Sequence, residues 1–251
     1  MKRYLIVGYG VAAYLLFLGA FLYLVGFVGD FAVPRSVNRG LPAPVAQAVL
    51  INVLLVGAFG IQHSVMARPA FKARWTRIVP SSIERSTYVV LSSAVLVLLY
   101  WQWRTMPAVL WDVRLPAGRV AVWAVFWLGW GIALASTFMV SHFDLFGLRQ
   151  VYLAWCGKPY THIGFHARFL YRLVRHPLML GFLIAFWATP TMTAGHLLFS
   201  IAMTGYILIA TQLEERDLVA ALGEEYRDYR RDVPRLLPRP RRHPAEAAPQ
   251  S

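Results

Sequence analysis

Four stretches of the chain run without a charged residue for long enough to cross a bilayer: Tyr4 to Val28, Val45 to Met66, Ser86 to Trp103 and Val120 to Ser141. A helix needs roughly 20 residues to traverse a hydrocarbon core of about 30 Å, and each stretch meets or approaches that length. The first follows Lys2 and Arg3 as a secretory leader would, but its apolar run is too long and no small-x-small cleavage site follows, so it is expected to be a retained helix. A fifth apolar region, Leu178 to Leu213, would extend to roughly 54 Å as one helix, too far for a single crossing. Pro190, Gly195 and the polar residues between them interrupt it, which predicts a helical hairpin with a short arm from Leu178 to Thr189 and a longer arm from Ala194 to Leu213. The expected fold is therefore all-α, a polytopic membrane helix bundle of four spans plus a C-terminal hairpin, five to six membrane segments in all.

Composition agrees with this pattern. Hydrophobic residues make up 58% of the 251 positions, charged residues 15%, and mean hydropathy is +0.50, values that exclude an ordinary soluble domain. The net charge of +13 falls in clusters separated by apolar runs, which suits loops held against anionic lipid and argues against a nucleic-acid groove. One cysteine, Cys156, leaves no internal disulfide and no multi-cysteine metal site, and no metal is expected.

The basic residues also orient the bundle. With the hairpin in place, the N-terminus, the Ala67 to Arg85 loop, the His142 to His176 loop and the tail from Glu214 share one side, carrying 2, 5, 5 and 8 Lys or Arg, against 2 and 3 in the opposite loops. The positive-inside rule places that side, with both termini, in the cytoplasm, and a bacterial inner membrane is the expected location. Residues 1–237 read as one integral membrane domain. From Arg235 the chain is rich in Pro, Arg and Ala, and residues 238–251 are expected to form a disordered basic tail.

The hairpin brings together two polar clusters distant in sequence, Arg175-His176-Pro177 at its start and Glu214-Glu215-Arg216-Asp217 at its end. Pro177 suits the first turn of a helix, whose N–H groups attract an anion, and Arg175 adds a cation there. Glu214 and Glu215 offer acceptors for an ammonium group or ribose hydroxyls, and Gly181 leaves room for a flat ring against the backbone. A ligand with a carboxylate, an ammonium and a ribose would suit this arrangement. Surface salt bridges where helices leave the membrane would explain the same residues without a ligand.

Arg175-His176-Pro177-Leu178-Met179-Leu180-Gly181, then after the hairpin Glu214-Glu215-Arg216-Asp217-Leu218, Gly223, Tyr226, Tyr229 and Val233-Pro234, resembles the cofactor region of the isoprenylcysteine carboxyl methyltransferase superfamily. Gln62-His63-Ser64-Val65-Met66-Ala67-Arg68-Pro69, Glu84-Arg85-Ser86-Thr87-Tyr88 and Phe143-Asp144-Leu145-Phe146-Gly147-Leu148 are similar to the NnrU-related branch. The similarity covers about residues 4 to 237. One departure is Met179, where superfamily members often carry Tyr.

The resemblance implies a membrane-embedded enzyme using S-adenosylmethionine, with a cytosolic C-terminal cofactor-binding region. Arg175, His176, Pro177, Leu180 and Gly181 would line one side of the cofactor, and Glu214, Glu215, Tyr226 and Tyr229 the other. It further implies a small thiol, methanethiol, as methyl acceptor and dimethyl sulfide as product, by in-line displacement. Because the thiolate is the nucleophile, a group must lower the thiol pKa or take its proton, and His142, Asp144 and His63 are the candidates. Their bland alternatives are a helix-end histidine for His63 and loop anchors for His142 and Asp144. His196, at the outer turn of the hairpin, reads as structural. Two other functions stay open: a larger lipid-like thiol or prenylated carboxylate as acceptor, and a membrane haem carrier using His63 and His142.

Overall fold

The computed structural model describes residues 2–161, 164 and 167–238, so nearly all of the expected disordered tail lies outside the described residues. Ten α-helices dominate the described residues: α1 Lys2–Gly29, α2 Val45–Ala67, α3 Pro69–Trp75, α4 Glu84–Gln102, α5 Pro116–Val140, α6 His142–Leu145, α7 Leu148–Trp155, α8 Pro177–Trp187, α9 Ala194–Leu222 and α10 Glu224–Asp232. Four are long and apolar enough to cross a membrane, over Arg3–Gly29, Val45–Ala67, Pro116–Val140 and Ala194–Leu222. The protein is an all-α polytopic membrane bundle. α4 is less apolar because of its serines, yet it packs along both α1 and α2, and Ser86, Ser92 and Ser93 are all buried.

Burial is distributed as lipid demands. Leu5, Leu15, Leu22, Leu50, Leu54, Val120 and Leu128 lie exposed on the outside of their helices, while Asn52, Ser136, Ser200 and Thr211 are wholly buried. Lipid tails solvate leucine as well as a core does, so a bundle conceals its polar groups and pairs them internally. Asn52 shows this: its side chain donates to the Arg104 carbonyl at 2.8 Å and accepts from the Arg104 N–H at 2.9 Å. A core of Phe27, Leu99, Trp103, Phe126, Phe186 and Phe199 fills the half of the bundle where α1 ends.

At that end, two small sheets tie the connections together. β1 (Leu41–Pro42) pairs in parallel with β2 (Arg104–Thr105), and β3 (Val109–Asp112) pairs antiparallel with β4 (Thr191–Thr193). β4 is the outer turn of the predicted hairpin. Thr193 caps α9 by accepting from the His196 N–H at 3.1 Å, so α9 starts where the sequence places it. His196 is structural, as expected: it is buried and its Nε2 contacts the Phe186 carbonyl at 2.9 Å, tying α9 to α8.

The two arms differ from expectation in one respect. α8 spans Pro177–Trp187, but α9 continues past Leu213 to Leu222, so Glu214 and Glu215 stand on the same helix as the long arm. α10 then folds back from Gly223, whose φ of +62° suits a residue without a Cβ.

Candidate active site

The hairpin returns its acidic foot to its basic foot. Arg175 Nε donates to Glu215 Oε1 at 2.7 Å, and the His176 ring contacts the same oxygen through Nε2 at 3.1 Å. Arg175 also donates through Nη1 to the carbonyls of Arg230 and Val233, at 2.9 and 2.5 Å. The segment after α10 closes the start of α8, since the N–H groups of Arg175 and His176 donate to the carbonyls of Pro234 and Arg235. The carboxylate of Glu215 thus lies between Arg175, His176 and, at 3.6 Å, Arg230.

This geometry revises the expected division of labour. Arg175 and Glu215 have side chains only 9% and 6% exposed and neutralise each other, so neither is a free group awaiting a ligand. Glu214, one residue earlier, is 48% exposed and reaches only to 3.7 Å from His176 Nδ1. It is the carboxylate of the pair that faces outward. About two turns before it on α9, the Tyr206 ring packs against Phe59 and His63 of α2, with ring centres 5.6 and 6.4 Å apart. Tyr206 approaches α2 closely because Gly60 has no Cβ, whose place would be 2.8 Å from the tyrosine ring.

Pro177 opens α8 as predicted, with His176 before it as the N-cap, and Leu180 is half-buried with its N–H on the His176 carbonyl. Gly181 requires correction. The space left by its missing side chain is filled by α5: a Cβ there would lie 2.5 Å from the Ala133 nitrogen and 2.6 Å from the Gly129 carbonyl oxygen. No flat ring fits at that point. Met179 is partly buried and packs against the apolar core. Tyr226 is fully buried, and Tyr229 donates to the Tyr171 carbonyl at 2.6 Å, with burial pushing its hydroxyl up to about 12 and so keeping it a donor. Both tyrosines brace α10 against the feet.

The three candidate proton acceptors occupy separate surroundings. His63, on α2, has its Nε2 2.8 Å from the Tyr88 hydroxyl and its Nδ1 3.3 Å from Ser92. His142 is buried after α5, with Nε2 2.8 Å from the Tyr14 hydroxyl and Nδ1 2.8 Å from Thr137. Thr137 already donates to the Leu134 carbonyl, so it accepts from Nδ1–H and leaves Nε2 to accept from Tyr14. All four ring nitrogens have hydroxyl partners, an arrangement that presents none to a haem iron. Among the described residues, no cluster of three His, Cys, Asp or Glu is grouped to hold a metal ion.

Burial holds the His142 imidazole below its ordinary value of 6.5. Its neutral form is therefore favoured by folding, and the stability this supplies is complete above pH 6.5 and lost as pH falls toward the lower folded value. Thermal unfolding in detergent should show a midpoint that drops between pH 7 and 5, and His142→Gln should flatten that drop. An equal drop in the variant would remove His142 as its source.

Asp144 is held by Arg149 at 3.2 Å and by the Tyr160 hydroxyl at 3.0 Å. It lines a cavity of about 400 Å³ between α3, the start of α4 and α6, together with Lys72, Thr76, Glu84, Arg85 and Tyr160. Sequence reasoning did not single out Lys72, Glu84 or Tyr160 as site residues, although Glu84 and Asp144 belong to quoted motifs.

The sequence profile of the NnrU protein family matches residues 49–230, most of the chain, including His63, Glu84, Asp144 and both feet of the hairpin. The chain belongs to the NnrU family. Methanethiol S-methyltransferase of Mycobacterium tuberculosis is 70% identical over 97% of this chain and its own full length. The enzyme of the same name from Crocosphaera subtropica is 48% identical over 95% of this chain and 93% of its own. A more distant relative, mouse Nurim, is 29% identical over 78% of this chain and 79% of its own. No solved structure matches. Within this NnrU chain, the motifs around His63, Glu84 and Asp144 and the two feet of the hairpin all gather at the end of the bundle that carries both described termini.

Proposed function

We propose that this protein transfers a methyl group from S-adenosylmethionine to methanethiol, giving dimethyl sulfide, as an integral enzyme of a bacterial inner membrane. The observation that carries this reading is the 70% identity, end to end, with a methanethiol S-methyltransferase. The distribution of Lys and Arg supports placing the site and both termini in the cytoplasm. Residues 1–237 act as one domain, and residues 238–251 contribute a basic tail.

The residues suit such a cofactor. Glu214 is an exposed carboxylate with free acceptor capacity for ribose hydroxyls. His176, Arg175 and Glu215 fix the backbone from which Glu214 projects, with Tyr226 and Tyr229 behind them. The cofactor supplies an electrophilic methyl group on a cationic sulfur. A thiolate attacking it cancels opposite charges, so the protein's part is to align the two sulfurs and keep water away. The apolar walls of α2, α4 and α9 serve that end. His63, in the tautomer that accepts from Tyr88 and donates to Ser92, takes the thiol proton through the Tyr88 hydroxyl.

Purified protein in detergent, given S-adenosylmethionine and methanethiol, should release dimethyl sulfide into the headspace, measured by gas chromatography. Absence of the product would overturn the reading. Methylation of a prenylated cysteine in its place would move the enzyme to the larger-acceptor alternative.

A further inference from the structure

Glu84 opens α4 at the edge of the 400 Å³ cavity and is 6% exposed, yet its carboxylate forms no hydrogen bond or ion pair with any described residue. A buried carboxylate without a partner is costly, and one that lines a cavity has its missing partner on the cavity side. Across from it, the Lys72 ammonium is half-buried and has no ion pair among the described residues. Burial, then the charge of Arg85, lowers the pKa of that ammonium, and the carboxylates of Glu84 and Asp144, too far away for an ion pair, offset this only in part. Arg85 donates through Nε to the Leu145 carbonyl at 2.8 Å, and its guanidinium lies over the Tyr88 ring at 5.1 Å. Asp144, the other carboxylate in the wall, is already matched by Arg149 and Tyr160.

The cavity therefore presents a carboxylate and two cations that share one small volume without direct ion pairs among them. A plain anion would satisfy Lys72 and Arg85 but repel Glu84. A plain cation would do the reverse. A ligand carrying both a carboxylate and an ammonium a few ångströms apart satisfies all three, and that is the chemistry of an α-amino acid. The wall of the cavity is tied to the hairpin: Lys72 donates its N–H to the Arg68 carbonyl at 3.0 Å, and the Arg68 guanidinium donates to Asp217 at 2.9 Å, one helical turn beyond Glu214 on α9.

We propose that the cavity between α3, α4 and α6 holds the amino-acid end of the methyl donor, with Glu84 receiving its ammonium and Lys72 and Arg85 its carboxylate. This rests on the function proposed above and relocates the carboxylate contact from Arg175, which Glu215 neutralises, to a separate set of residues. Glu214 then serves the nucleoside end, and the reacting sulfur falls between them, near Tyr88.

The test separates the two ends of the ligand. Binding of S-adenosylhomocysteine and of 5′-methylthioadenosine, which lacks the amino-acid end, is measured by calorimetry on full-length protein in detergent. Glu84→Gln and Lys72→Met should each weaken S-adenosylhomocysteine about 10- to 100-fold and leave 5′-methylthioadenosine nearly unchanged. Glu214→Gln should weaken both. Should Glu84→Gln fail to fold, Lys72→Met, at a less buried position, carries the test. Equal losses for both ligands in the Lys72 and Glu84 variants, or no loss for either, would overturn the assignment and leave the proposed reaction standing. Free L-methionine bound through Glu84 without competition from S-adenosylhomocysteine would also overturn it. No binding of either nucleoside by the unsubstituted protein would remove the proposed function and this assignment together.

Discussion

Glu215→Gln and Arg175→Ala should each destabilise the protein by about 3–5 kcal/mol, whereas Glu214→Gln should leave stability nearly unchanged and act on binding alone. The side chains of Arg175 and Glu215 are almost fully enclosed, and removing one charge abandons the other where water cannot reach it. His176 shares the same carboxylate oxygen, and Arg175 carries two carbonyls of the segment that closes α8, so the loss spreads to the anchoring of α10. Glu214, half exposed and linked only to a distant ring nitrogen, has no such burden. Tryptophan fluorescence during thermal unfolding in detergent, read beside S-adenosylhomocysteine affinity, distinguishes the two adjacent residues. Should Glu215→Gln unfold at the parent temperature, the buried pair would not be the clasp of the hairpin.

The distinction between those two glutamates was present in the sequence as a period. Phe199, Met203, Ile207, Thr211 and Glu215 recur every fourth residue along α9, and all are buried. Positions four apart share a helix face, so Glu215 continues an inward stripe and Glu214, about 100° away, does not. The runs of uncharged residues revealed the long helices and the hairpin in the same direct way, because a bilayer admits few alternatives. Other features arise from contacts between elements remote in sequence. The Asp217 partner Arg68 lies 149 residues away, and the unmatched carboxylate of Glu84 becomes visible only once α3 and α6 are placed around it. Sequence spacing assigns no ligand to a charge and cannot tell that Arg175 already has one. The same limit applied to Gly181, a residue whose missing side chain serves either a bound ring or a neighbouring helix.

For Gly181 the neighbour is α5, and substitution there should produce one of the largest losses available in the bundle. Gly129 and Ala133 on α5 face Gly181 and Ala185 on α8, each helix presenting two small residues four apart, so that backbones meet where side chains would ordinarily keep them separate. A Cβ at Gly181 would come within 2.5 Å of the Ala133 nitrogen, and one at Gly129 within 2.6 Å of the Ala185 nitrogen. Backbone atoms cannot rotate away as a side chain can, so the helices must part. Gly181→Ala should cost about 1–3 kcal/mol, and Gly181→Leu should reach or exceed the top of that range. Gly205→Ala on α9 is the control, because nothing lies within 4 Å of its added carbon and helix propensity favours alanine by roughly 0.5–1 kcal/mol. Separation of α8 from α5 would also shift Arg175 and His176, which lead directly into α8, so the affinity for S-adenosylhomocysteine should fall with stability in the Gly181 series. Unfolding midpoints and binding constants that stay level from glycine to leucine would show that the two helices do not depend on this close approach.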